Sequence, residues 1–122
     1  MIGEYFSKVN AALIISPVIN SFSIKREIKK ELEGYIRIDA VLKNNDQLEI
    51  FLYVTVNENI KIEKYRVHWQ DKNGKLIRRW DNAPHHRKIE TFPHHIHKDG
   101  NVYPHKPIDI IHLIEYLEKE IK

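Results

Sequence analysis

Three times between Tyr35 and Gln70 the chain alternates apolar and polar residues with a period of two. Ile36, Ile38, Ala40 and Leu42 alternate with Tyr35, Arg37, Asp39 and Val41. After Asn44, Asn45 and Asp46 the pattern resumes with Leu48, Ile50, Leu52 and Val54. Beyond the polar break from Asn57 to Asn59, Tyr65, Val67 and Trp69 take one parity, and Arg66, His68 and Gln70 take the other. Successive side chains of an extended chain point to opposite faces, so this periodicity demands half-buried strands. The short breaks carry turn residues, and connections that short join neighbouring strands antiparallel. Asp71-Lys72-Asn73-Gly74 is the strongest of these turns, with Lys75 to Trp80 as the returning strand. Trp69 and Trp80 then lie on facing strands, where cross-strand packing is expected of them.

The flanks differ. Tyr5, Phe6, Val9 and Leu13 recur with helical spacing, and Pro17 ends that helix a few residues earlier. From Val18 to Lys30, Phe22, Ile24 and Ile28 share one parity against Ser23, Lys25, Glu27 and Lys29, which reads as a long strand. Helix competes over Lys25 to Glu33, because Glu and Lys are good helix formers. Asp81 to Lys106, with Pro84, Pro93 and Pro104 inside it, shows little periodicity and reads as a long ordered loop. Beyond Pro107, Ile110, Leu113, Ile114, Leu117 and Ile121 form an apolar stripe, with Glu115–Lys119 and Glu118–Lys122 as i,i+4 pairs. The expectation is one α+β domain over residues 1–122. It has an antiparallel meander of about five strands, an N-terminal and a C-terminal helix packed on it, and the loop crossing an edge or end of the sheet.

With 42% hydrophobic and 30% charged residues the chain belongs among soluble globular proteins. The absence of cysteine excludes disulfides, thiolate metal sites and cysteine nucleophiles. The longest apolar run near the N-terminus, Ala11 to Ile15, is far below spanning length, so a cytoplasmic protein without a membrane partner is expected. Charge is uneven. From Lys61 to Lys106 eleven Lys and Arg face five Asp and Glu, whereas the remaining residues carry nine against twelve. That basic segment suits phosphate or nucleic acid, although Lys and Arg also simply solubilise a surface.

The basic segment also holds most of the histidines: five of eight fall between His85 and His97. Imidazole serves as acid, base and metal ligand near neutral pH, and three readings follow. In the first, one neutral imidazole removes a ribose 2′-hydroxyl proton while a protonated one assists the leaving group. His85, His86, His94, His95 and His97 are the candidates, with His68 approaching from the neighbouring strand and no cofactor. Arg78, Arg79, Arg87 and Lys88 are the candidate phosphate or RNA contacts. Asp81 and Asn82 are supporting residues, Asp81 as the carboxylate that fixes a histidine tautomer, or the pair simply turns the chain off its strand. In the second reading His95 and His97, two apart on an extended segment, join His85 or His86 in a zinc-like hydrolase or nuclease site. The spacing is not a metal signature on its own. In the third, the histidines cap hydrogen bonds, stack on Trp80 or Phe92, or are solvated, as His105 and His112 are expected to be.

Three ordered motifs carry a family likeness: Tyr65-Arg66-Val67-His68-Trp69-Gln70-Asp71; Gly74 with Leu76-Ile77-Arg78-Arg79-Trp80-Asp81-Asn82-Ala83-Pro84-His85-His86; and Thr91-Phe92-Pro93-His94-His95-Ile96-His97. Together with Ser21-Phe22, Gly34-Tyr35-Ile36-Arg37 and Pro107-Ile108-Asp109, they closely resemble the TumE family of prokaryotic toxin–antitoxin proteins. The resemblance implies a small cytoplasmic toxin neutralised by a DNA-binding antitoxin. RNA is the expected target by analogy with other small antiparallel toxins, and the leading expectation is metal-independent ribonuclease activity. The alternatives are the histidine-ligated metal hydrolase and a non-catalytic module that binds RNA or protein. A homodimer is compatible with each.

Overall fold

The computed structural model describes residues 1–121. Its elements are α1 (Ile2–Ile15), β1 (Ile19–Lys29), β2 (Glu33–Leu42), β3 (Gln47–Asn57), β4 (Asn59–Gln70), β5 (Leu76–Asp81), β6 (His95–Lys98), β7 (Asn101–Pro104) and α2 (Ile110–Glu120). Among the described residues the sheet has seven strands, not about five, all antiparallel and arranged in chain order from β1 to β7. The two additional strands come from the proline-rich segment expected to be loop. Its second half folds as a hairpin around Asp99 and Gly100, whose φ values of 52° and 75° give the two left-handed residues of a tight two-residue turn. The competition over Lys25 to Glu33 resolves as strand: β1 runs to Lys29 and β2 begins at Glu33.

Register decides which side chains share a face, because directly opposed residues in an antiparallel pair point the same way. Ile36, Ile38 and Ala40 oppose Leu52, Ile50 and Leu48, Leu42 opposes Ile19, and these stand with Val67, Trp69 and Trp80 on the buried face. Both helices cover that face. Ile2, Phe6, Val9 and Leu13 of α1 and Ile110, Leu113, Ile114 and Leu117 of α2 complete one continuous core. Ser16, at the end of α1, donates to a Glu118 carboxylate oxygen of α2 at 2.7 Å and ties the helices together. Asp109 caps α2 by accepting from the amides of Ile111 and His112. The expected Glu115–Lys119 pair is not among the ion pairs of the described residues, and Lys122, the partner proposed for Glu118, lies outside them. None of the described helices is long and apolar enough to cross a membrane.

One expectation about packing changes. Phe22 and Ile24 oppose Ala40 and Ile38, but a bulge at Lys25 places Ile28 opposite Tyr35, on the other face from Phe22. Trp69 and Trp80 lie on paired strands as expected, as diagonal neighbours: Trp69 faces Arg78 and Trp80 faces Val67. Each has its own partner: the Trp69 indole donates to the Asp46 carboxylate at 2.9 Å, and the Trp80 ring meets the edge of Tyr116 in α2 at 5.9 Å between centroids.

Glycine is required at two places for different reasons. At Gly34 a Cβ would stand 2.6 Å from the Ile28 carbonyl oxygen and 2.7 Å from Ile2, where α1 presses on the sheet. At Gly74 the surroundings are open but φ is +87°. Gly34→Ala is therefore expected to cost ~1–3 kcal/mol by overpacking. Gly74→Val should cost ~1–2 kcal/mol through the backbone alone. Urea denaturation of both variants measures this, and an unchanged midpoint for Gly34→Ala would contradict the close approach of α1.

Candidate functional site

The sheet face not covered by helices carries two rows of side chains across β4, β5 and β6. In one, His68 opposes Arg79 and Arg79 opposes His97; in the other, Arg66 opposes Asp81 and Asp81 opposes His95. Residues that close β4 and β5 are thereby brought against residues from the far end of the histidine segment. Asn82 secures the junction. Its side chain accepts from the Tyr65 amide at 3.1 Å and donates to the Glu63 carbonyl at 2.9 Å, continuing the hydrogen bonding of β4 past the end of β5.

Asp81 is buried at the centre. One of its carboxylate oxygens lies 2.9 Å from His95 Nε2 and also accepts from the Ala83 amide at 2.9 Å; the other lies 3.4 Å from His97 Nε2. His95 is 2% exposed, and its Nδ1 donates to the Pro93 carbonyl at 2.8 Å, because that carbonyl can only accept. His95 Nε2 is 3.1 Å from His97 Nε2. His86, on the loop after β5, closes the group, with its ring centre 4.9 Å from that of His95 and 5.6 Å from that of His97. One ring nitrogen from each of His86, His95 and His97 falls within 4.8 Å of the other two, so these three could hold a metal ion. Burial holds the His97 proton affinity below the ordinary imidazole value. Asp81 opposes this, and the neighbouring His95, His86 and Arg79 reinforce it.

The group opens into a cleft of ≈ 700 Å³. Arg37, Lys64, Arg66 and Arg79 line it against Glu63 and Asp81, so it is net basic, and Phe51 and Phe92 supply aromatic walls. The Arg37 guanidinium sits 4.8 Å from the centre of the Phe51 ring. Arg79 Nε is buried without a hydrogen-bond partner, as is His68 Nδ1. A larger cavity of ≈ 860 Å³ lies on the other side of β6, against α2, but it shares none of the clustered histidines.

The sequence-predicted residues therefore separate. His86, His95, His97, Arg79 and Asp81 converge, and His85 is exposed at the cleft rim. His68 shares the open face but is one strand beyond Arg79, with Nε2 3.1 Å from the Gln70 side-chain oxygen. His94 points the other way: Nδ1 is 2.8 Å from the Tyr65 hydroxyl, the two rings are stacked, and burial lowers its proton affinity. The Tyr65 phenol is itself pushed up by burial and by Asp81. Arg78 takes the face opposite Arg79, 6.0 Å from the Trp69 ring and near Tyr116. Arg87 sits 5.7 Å from the Phe92 ring; it and Lys88 are exposed and do not line the cleft. Asn82 is occupied by the β4 backbone. Arg37, Phe51, Lys64 and Arg66 were missed; the signal available for Arg66 was its shared parity with His68 on β4.

The family model described as Toxin TumE matches residues 9–122 of the chain. No curated protein and no solved structure matches it.

Asp81 and Asn82, adjacent in sequence, should behave differently when truncated. Asp81→Ala leaves two histidines without their carboxylate and should cost ~3–5 kcal/mol, as breaking a buried pair does. Asn82→Ala removes two hydrogen bonds to β4 and should cost ~1–3 kcal/mol. Chemical denaturation of the two variants checks the order, and a smaller loss for Asp81→Ala would argue against its central role.

Proposed function

This chain belongs to the TumE toxin family, and from that premise we propose that it acts by cutting RNA in the basic cleft, using histidines as acid and base. Membership of a toxin family implies a cognate antitoxin partner, here proposed to be the DNA-binding protein that neutralises it. The single observation that carries the reading is the convergence of Asp81, His86, His95 and His97 with Arg66 and Arg79 in one cleft.

The chemistry follows from which groups face solvent. His95 is buried and bonded at both ring nitrogens, so it positions rather than reacts. His97 and His86 are partly exposed. His97, held neutral by burial and by its cationic neighbours, takes the 2′-hydroxyl proton as the 2′-oxygen attacks phosphorus. His86, in its protonated form, returns a proton to the departing 5′-oxygen. The bond to the 5′-oxygen breaks as the bond from the 2′-oxygen forms, leaving a 2′,3′-cyclic phosphate and a free 5′-hydroxyl. Arg66 and Arg79 offset the charge that gathers on the phosphoryl oxygens. The aromatic rings of Phe51 and Phe92 offer faces for bases without selecting among them.

His86→Ala and His97→Ala should each slow RNA cleavage by ~10²- to 10⁴-fold with the fold retained. Arg79→Ala should weaken RNA binding and make the salt dependence shallower by one charge. Purified protein and RNA, sampled over time with product ends mapped, test all three. Unchanged cleavage by His86→Ala and His97→Ala together, or products lacking a cyclic phosphate, would refute the mechanism.

A further inference from the structure

Beyond the acid–base reading, we propose that His86, His95 and His97 form a binding site for one divalent transition-metal ion of the zinc class, and that loading it silences the cleft. Zinc is held by imidazole nitrogens at 2.0–2.1 Å, so the ligand atoms of a tetrahedral site stand about 3.3 Å apart. His95 Nε2 and His97 Nε2 are already 3.1 Å apart, and the three nitrogens lie within 4.8 Å of one another. Closing the site therefore requires a movement of at most about 1.5 Å, and His86 sits on the loop after β5, where such a movement is least constrained.

The surroundings are those of a ligand set. The Nδ1 proton of His95 goes to the Pro93 carbonyl, and Nε2 is the nitrogen that faces the cluster; metal-bound imidazoles are characteristically oriented by such a bond at the second nitrogen. Asp81 places a carboxylate 2.9 Å and 3.4 Å from the two Nε2 atoms, giving negative charge beside a bound dication. Three imidazoles and no all-oxygen cage favour zinc, cobalt, nickel or copper over magnesium or calcium. This half of the inference is independent of RNA.

The second half rests on the acid–base reading. An ion held by the three histidines occupies the ring nitrogens of His86 and His97 that would face the phosphodiester, so neither can act on it. Metal-free protein is then the cutting form, and the ion acts as an inhibitor.

The test uses the full chain, freed of metal by chelator and dialysis. Zinc is titrated by calorimetry and cobalt by its visible absorption, without RNA. One ion should bind per chain with a tetrahedral cobalt spectrum. His86→Ala, a loop substitution that spares the core, and His97→Ala should each weaken binding by at least ~10- to 100-fold, whereas His112→Ala on the exposed face of α2 should not. Absence of saturable binding, or binding that survives both cluster substitutions, overturns the site. RNA cleavage is then compared across zinc occupancies: a rate falling in proportion and restored by chelator supports inhibition, and a rate that holds or rises overturns it. Protein inert toward RNA in both forms removes the cleavage reading and the inhibition with it, while the titration still decides the metal site.

Discussion

A carboxylate taken out of water must find partners, and Asp81 is 7% exposed. It accepts from the Ala83 amide on its own side and faces His95 and His97 on the other, so β6 pairs with β5 and a buried carboxylate gains its partners in one event. β6 is only four residues long, and Ile96 is its single buried aliphatic residue. Hydrophobic burial alone gives such a strand little to hold it, and the Asp81 contacts set its register.

The two faces of the sheet divide the work. The helix-covered face is a continuous apolar core in which Trp69 pairs with Asp46 and Tyr65 with His94. The open face carries charges and imidazoles whose pairing is incomplete, including the buried Arg79 Nε and His68 Nδ1. Adjacent residues fall on opposite sides of this division. Arg78 and Arg79 look alike in sequence, but one lies beside Trp69 and Tyr116 and the other lines the cleft.

How far the sequence could be read follows the same physics. β2 to β5 were legible because each alternates for long enough to establish a parity, and the helices because their apolar stripes repeat. β6 and β7 were not. Four residues containing two histidines, or ending in proline, carry no hydropathy rhythm, and only the Asp99-Gly100 pair announced the hairpin. The choice of His86, His95, His97, Arg79 and Asp81 from a longer candidate group needed the register of β5 against β6, which no residue type encodes. The bulge at Lys25 that turns Ile28 away from Phe22 was likewise invisible, because a bulge changes parity without changing composition.

A sheet whose strands lie side by side in chain order can be laid down one hairpin at a time, since each strand needs only its predecessor. During synthesis β1 to β5 can pair while the remainder is still within the ribosome. The histidine cluster cannot: its Asp81 carboxylate waits for His95 and His97, some fifteen residues further along, and for the β6–β7 hairpin that holds them. A nascent or interrupted chain therefore acquires most of its sheet before it acquires any of its chemistry, and the cell producing it meets no finished site until the ribosome has passed that hairpin.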